Sequence, residues 1–118
     1  MDRQAYTRLL RARIEHIEGA LRRSLGPDYE RVGGGHIDAL RGHESAIDAG
    51  GEDWTRHREG VERSLEQLTT DVGSGGGTAA EVAEAIRDGA VELFRGEPSE
   101  ILIKANAILA KLGETSGE

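Results

Sequence analysis

The sequence predicts an all-α protein of about five helices in an irregular bundle, with a long N-terminal helix and a Gly-rich joint at 73–77 before a C-terminal helix pair. Three observations carry that prediction. Apolar residues recur three and four apart in each well-patterned segment. Alternation of apolar and polar residues is nowhere sustained over the length of a strand. Clusters of glycine, with two prolines, divide the segments from one another.

The first helix is predicted over about 3–25. Tyr6, Leu10, Ile14, Ile17, Leu21 and Leu25 fall at spacings of 4, 4, 3, 4 and 4, which place them on one helical face. Asp2 suits the N-cap, and Gly26 followed by Pro27 stops the helix. Residues 28–35, DYERVGGG, read as a loop or a short helical turn with Gly33 to Gly35 as its flexible end. A second helix over 36–49 puts Ile37, Leu40 and Ile47 on one stripe, with Gly42 inside it at a cost of about 1 kcal/mol relative to alanine. The third, 53–72, carries Trp54, Arg58, Val61, Leu65, Leu68 and Val72 as an a/d seam, suited to packing on another helix.

Beyond the joint, Thr78 and Glu81 fit a T-x-x-E capping box, in which each side chain satisfies a free backbone N–H of the first turn. Ala79, Val82, Ile86, Ala90, Leu93 and Phe94 mark the buried face of the helix that follows, and small Ala79, Ala83 and Ala90 admit a close neighbour. RGEPSE at 95–100 ends it and starts the last helix, with Pro98 in the first turn. There Ile101, Ala105, Ile108 and Leu112 form a stripe that Leu102 and Leu109 widen, so burial on two sides is expected. Residues 114–118 read as a flexible tail. The whole is read as one domain, with a helical region at 1–72 and a helix pair at 78–113. The pattern leaves two placements for that pair, on residues 1–72 of the same chain or on a partner.

Composition bounds the chemistry. Leu, Ile, Val and Phe make up 25 of 118 residues, a thin supply of large core formers, and 17 glycines raise the entropy lost on folding. Burial against further chains is the expected remedy. The formal charge of −7 is uneven: residues 1–25 carry +3, 26–72 carry −6 and 73–118 carry −4. The basic first helix is therefore expected to attract the acidic remainder, within or between subunits. With no cysteine, disulfides, thiolate nucleophiles and Cys-ligated zinc are excluded. The longest strongly apolar run is ILI at 101–103, too short to span a bilayer, and the N-terminus lacks the apolar core of a signal peptide. The expected location is the cytoplasm or a virion-like particle.

No motif points to catalysis. The stretch DVGSGGGTAAEV lacks the lysine and the preceding strand of a phosphate-binding loop, so Gly73 to Gly77 read as a connector. Ser74 lacks the G-x-S-x-G frame of a nucleophile elbow. His36 and His43, seven apart, with Glu44 alongside, are the candidate metal ligands, while His16 and His57 come together if the first and third helices pair. Neither the Glu-x-x-His nor the His-Glu-x-x-His spacing occurs, so the expectation is no metal, no cofactor and no enzyme. Six arginines on the first helix would suit nucleic acid, but the overall acidity and only four aromatic residues argue against it. The resulting expectation is a non-catalytic interaction or assembly protein, acting as an oligomer or complex subunit, of which a virion or phage-type connector or capsid-associated component is the concrete form. Tyr6, Leu10, Ile14, Ile17, Ile101, Ile108 and Leu112 are its expected contact residues. The alternatives are an acidic regulatory binder, such as an inhibitor, immunity or antitoxin-like protein, and a His/Glu metal-dependent helical protein.

Overall fold

The computed structural model describes residues 2–50, 54–74, 80–94 and 100–116, and every regular element among them is helical. The order is α1 (Arg3–Leu25), a 3₁₀ turn (Gly26–Asp28), a π-helical turn (Glu30–Gly34), α2 (Gly35–Ala49), α3 (Trp54–Ser74), α4 (Ala80–Phe94) and α5 (Glu100–Ser116).

Local chemistry sets the ends of α1 as expected. The Asp2 carboxylate accepts from the Ala5 N–H at 2.7 Å. Gly26 takes φ 54°, a left-handed conformation that glycine adopts without strain, and its N–H returns to the Arg22 carbonyl. Of the two readings of the following stretch the structure takes the helical turn, but its glycine end is not the flexible one expected. Gly33 and Gly34 are buried within the π turn, and a Cβ on Gly33 would come within 3.1 Å of Leu21 Cδ1. These glycines allow close packing, so the chain passes almost without a break into α2. Tyr29 anchors the turn to α1: its hydroxyl donates to Glu18 at 3.2 Å, and the Arg22 guanidinium lies 4.2 Å from its ring centroid.

The main contacts close the five helices into a ring around one core: α1 against α2, α2 against α3, α3 against α5, α5 against α4 and α4 against α1. Helices α4 and α5 therefore dock on the same chain. Leu10, Ile14 and Leu21 of α1, Ile37, Leu40 and Ile47 of α2, Val61, Leu65 and Leu68 of α3, and Val82 and Ile86 of α4 are all fully buried. Arg58, within the expected seam, is exposed. Ala83 and Ala90 are inaccessible, and Gly89 lies against Ile17 and Arg13, so α1 and α4 approach closely across small residues. The envelope measures 51 × 31 × 18 Å, and its shortest dimension fits about two layers of helices.

Charge joins the elements in the way the uneven distribution predicts. Arg11 pairs with Glu44 of α2, while Arg13 and Arg23 face Glu92 and Glu81 of α4. Arg3 donates to the Ile47 and Asp48 carbonyls at 3.1 and 2.7 Å, satisfying acceptors at the end of α2. Glu81, expected in a capping box, bonds Arg23 at 2.7 Å, and its partner Thr78 lies outside the described residues, as do Ala79 and Pro98. Two expected boundaries shift. α3 continues through Gly73 and Ser74, taking two residues of the joint into helix, and α5 continues through Ser116, into the expected tail. Part of the reason for the first is tertiary: Gly73 packs beneath Ile108 of α5.

Candidate functional site

Five of the residues expected at partner contacts serve the chain's own core. Tyr6, Leu10, Ile14, Ile17 and Ile101 are each 1–2% exposed. The helical period identified a buried face correctly, but the face is covered from within, by the ring of neighbouring helices. Ile108 is half-buried at the α3–α5 groove, and Leu112 lies on α5 with its side chain outside the described residues.

The three candidate metal ligands do not converge. His36 Nε2 meets Asp71 Oδ2 of α3 at 2.6 Å, His43 faces His57, and Glu44 turns to Arg11 at 2.5 Å. His43 and Glu44 are sequence neighbours and so point about 100° apart around α2. Among the described residues, no three His, Asp or Glu side chains surround a point that an ion could occupy. His16 is exposed on α1, away from the pairing with His57 that the sequence raised.

Two other groupings emerge from the packing. The first is a cleft of about 360 Å³ where His36 faces α3 and α5, lined by Glu66, Gln67, Thr70, Asp71 and Lys104. Lys104 Nζ donates to Thr70 Oγ1 at 2.9 Å and to Glu66 Oε1 at 3.2 Å. Asp71 holds the His36 ring, and Glu66 pairs with Lys104. The cleft continues into a shallower apolar part bounded by Thr69, Gly73, Ala107 and Ile108. Chemically this is a groove that offers hydrogen bonds at one end and apolar contact at the other.

The second grouping lies between α2 and α3. His43 Nδ1 and His57 Nδ1 are 3.3 Å apart, with ring centroids 5.6 Å apart and planes tilted by 50°. Gly60, one turn beyond His57, makes room for the His43 ring; a Cβ there would overlap it. Burial lowers the His43 pKa from its ordinary value, and the charges of His57 and Arg63 lower it further. The sequence signal for this pair was a histidine on either side of the glycine break at 50–51, with a glycine three residues after the second.

The most exposed large apolar side chains among the described residues are Ile103 on α5, 62% exposed, and Val91 on α4, 46% exposed. Ala107 and Ala110 share the Ile103 side of α5 and are also exposed. No helix among the described residues is long and apolar enough to cross a membrane. Comparison with protein families, with curated proteins and with solved structures finds nothing that matches the chain.

Proposed function

We propose that this is a non-catalytic helical interaction protein, working as an oligomer or as a subunit of a larger assembly. The observation that carries the reading is the outer side of α5. Its inner residues Ile101 and Ala105 are buried against the chain's own helices, yet Ile103 projects outward with Ala107 and Ala110. Isolated exposed apolar residues are common on soluble proteins, but here they continue a helix whose apolar stripe is wider than its neighbours cover. The most concrete form of the proposal is a connector or capsid-associated component of a virion or phage-type particle, in which neighbouring copies supplement a small core. The acidic-binder alternative rests on the charge of −6 over residues 26–72, where Glu44 is already engaged by Arg11 of the same chain.

Light scattering across a size-exclusion peak tests the proposal over a range of concentration and salt. A mass of two or more 12.7 kDa chains is expected, falling toward one chain in Ile103→Asp with helicity unchanged. A particle of one chain at every concentration refutes self-assembly. Recovery of no stable complex from the native source, together with that result, refutes the wider reading.

A further inference from the structure

The His43 ring sits in a seat on α3 that opposes positive charge. Gly60 leaves the space the ring fills, and His57 and Arg63, three residues before and three after it, flank that space on one side of the helix. His43 and His57 meet head-on, with Nδ1 atoms 3.3 Å and ring centroids 5.6 Å apart, the arrangement of a direct hydrogen bond. Such a bond needs one Nδ1 to carry a proton and the other to offer its lone pair. The other charged groups around His43 are engaged or distant. Glu44 beside it turns to Arg11 of α1, and Arg3 of α1 is held at the Ile47 and Asp48 carbonyls. Glu30 and Arg31 of the π turn lie about three turns back along the chain.

The contact responds differently to a first and a second added proton. With one ring charged the bond persists and strengthens, because the imidazolium donates to the neutral ring. With both charged, each Nδ1 carries a proton, neither can accept, and two cations face each other across 3.3 Å. Both rings are half-buried, so water screens that repulsion only in part. It is the second proton that breaks the contact.

We propose that the His43–His57 contact is an acid-released latch between α2 and α3, closed while the pair holds at most one added proton and open when it holds two. Burial first, then the charges of His57 and Arg63, set the His43 pKa below its ordinary 6.5. The unfolded chain takes up this proton near pH 6.5 while the folded chain resists it. The contribution of the latch is therefore complete above pH 6.5 and is lost as pH falls through the depressed value. Trp54, one turn before His57 and packed on Tyr6, lies where opening frees the start of α3. The inference is independent of self-assembly and of the α5 surface.

The test uses the full chain between about pH 7.5 and 5, the range in which histidine changes charge. Histidine ring signals followed by NMR read the protons directly. His43 is expected to titrate below the ordinary histidine range, and His57→Gln, which removes the second charge, is expected to move its midpoint upward. Urea unfolding reads the contact. Loss of one net hydrogen bond shifts a folding equilibrium roughly fivefold, so the parent should lose about that much more across the range than His43→Gln does. His16→Gln, at an exposed position on α1, should follow the parent. Trp54, the single tryptophan, gives a local readout: its emission should move to longer wavelength in acid in the parent and stay fixed in the His43→Gln/His57→Gln double variant. The proposal is overturned if His43 titrates in the ordinary range, or if its midpoint is unmoved by His57→Gln. It is equally overturned if the double variant loses stability with falling pH as steeply as the parent, or if the parent's Trp54 emission does not move.

Discussion

Replacing Tyr6 with phenylalanine is expected to stabilise the protein. Tyr6 is 2% exposed, packs against Trp54 with ring centroids 5.9 Å apart, and its hydroxyl is buried with no hydrogen-bond partner among the described residues. A buried hydroxyl without a partner costs about 1–3 kcal/mol, because its bonds to water are lost on folding and not replaced. Phenylalanine keeps the ring and removes that cost, so a gain of about 1 kcal/mol, or roughly 4 °C in Tm, is expected at neutral pH. The same burial, with Arg58 opposing and Glu62 adding to it, pushes the Tyr6 pKa up from 10.0 to about 12. The unfolded chain therefore releases this proton near pH 10 while the folded chain retains it. Stability is fully present below pH 10 and declines as pH rises toward about 12, by on the order of 2–3 kcal/mol from this group. Urea unfolding followed by circular dichroism, at neutral and at alkaline pH, measures both effects. The reasoning is refuted if Tyr6→Phe is destabilising by more than about 0.5 kcal/mol, which would mean the hydroxyl has a partner. An alkaline decline of equal depth in the variant would refute the second half.

Two further substitutions probe α2 and the anchor of the π turn. A Cβ on Gly42 meets nothing within 4 Å, so Gly42→Ala should raise the denaturation midpoint with an unchanged m-value, a gain of about 0.5–1 kcal/mol; a loss would reveal an unseen contact at that face. Glu18 accepts from Arg41 at 2.7 Å, Tyr29 at 3.2 Å and Arg22 at 3.4 Å, so Glu18→Gln should cost about 1–2 kcal/mol at neutral pH. Burial acts to raise the Glu18 pKa, but the charge and hydrogen bond of Arg41, with the bonds from Tyr29 and Arg22, outweigh it and hold the carboxyl below its ordinary 4.5. Its stabilisation is accordingly present above pH 4.5 and lost as pH falls through the depressed value, so the acid limb of a pH titration should be shallower in Glu18→Gln than in the parent. Identical acid limbs would show that the Glu18 network contributes nothing.

The sequence by itself determined the helices and their inner faces, because both depend on neighbours three and four residues apart. Asp2 and Gly26 bound α1 through contacts within one turn, and the stripes at Ile37, Leu40 and Ile47, or Val61, Leu65 and Leu68, follow from the helical period alone. The charge imbalance between α1 and the rest was legible in the same way, although the choice of Glu44, Glu81 and Glu92 as partners was not. Only the tertiary structure decided what covers each face. A periodic stripe records that a surface is buried without recording by what, so Tyr6 and Ile101 were assigned to partner contacts while they lie in the chain's own core. The glycines carried the same ambiguity. Gly33 read as part of a flexible end and Gly60 drew no reading, and their use appears only when Leu21 and the His43 ring are brought against them from other helices. The meeting of His43 with His57 likewise depends on how α2 and α3 turn about their axes, a rotation set by packing around the whole ring and by no local spacing.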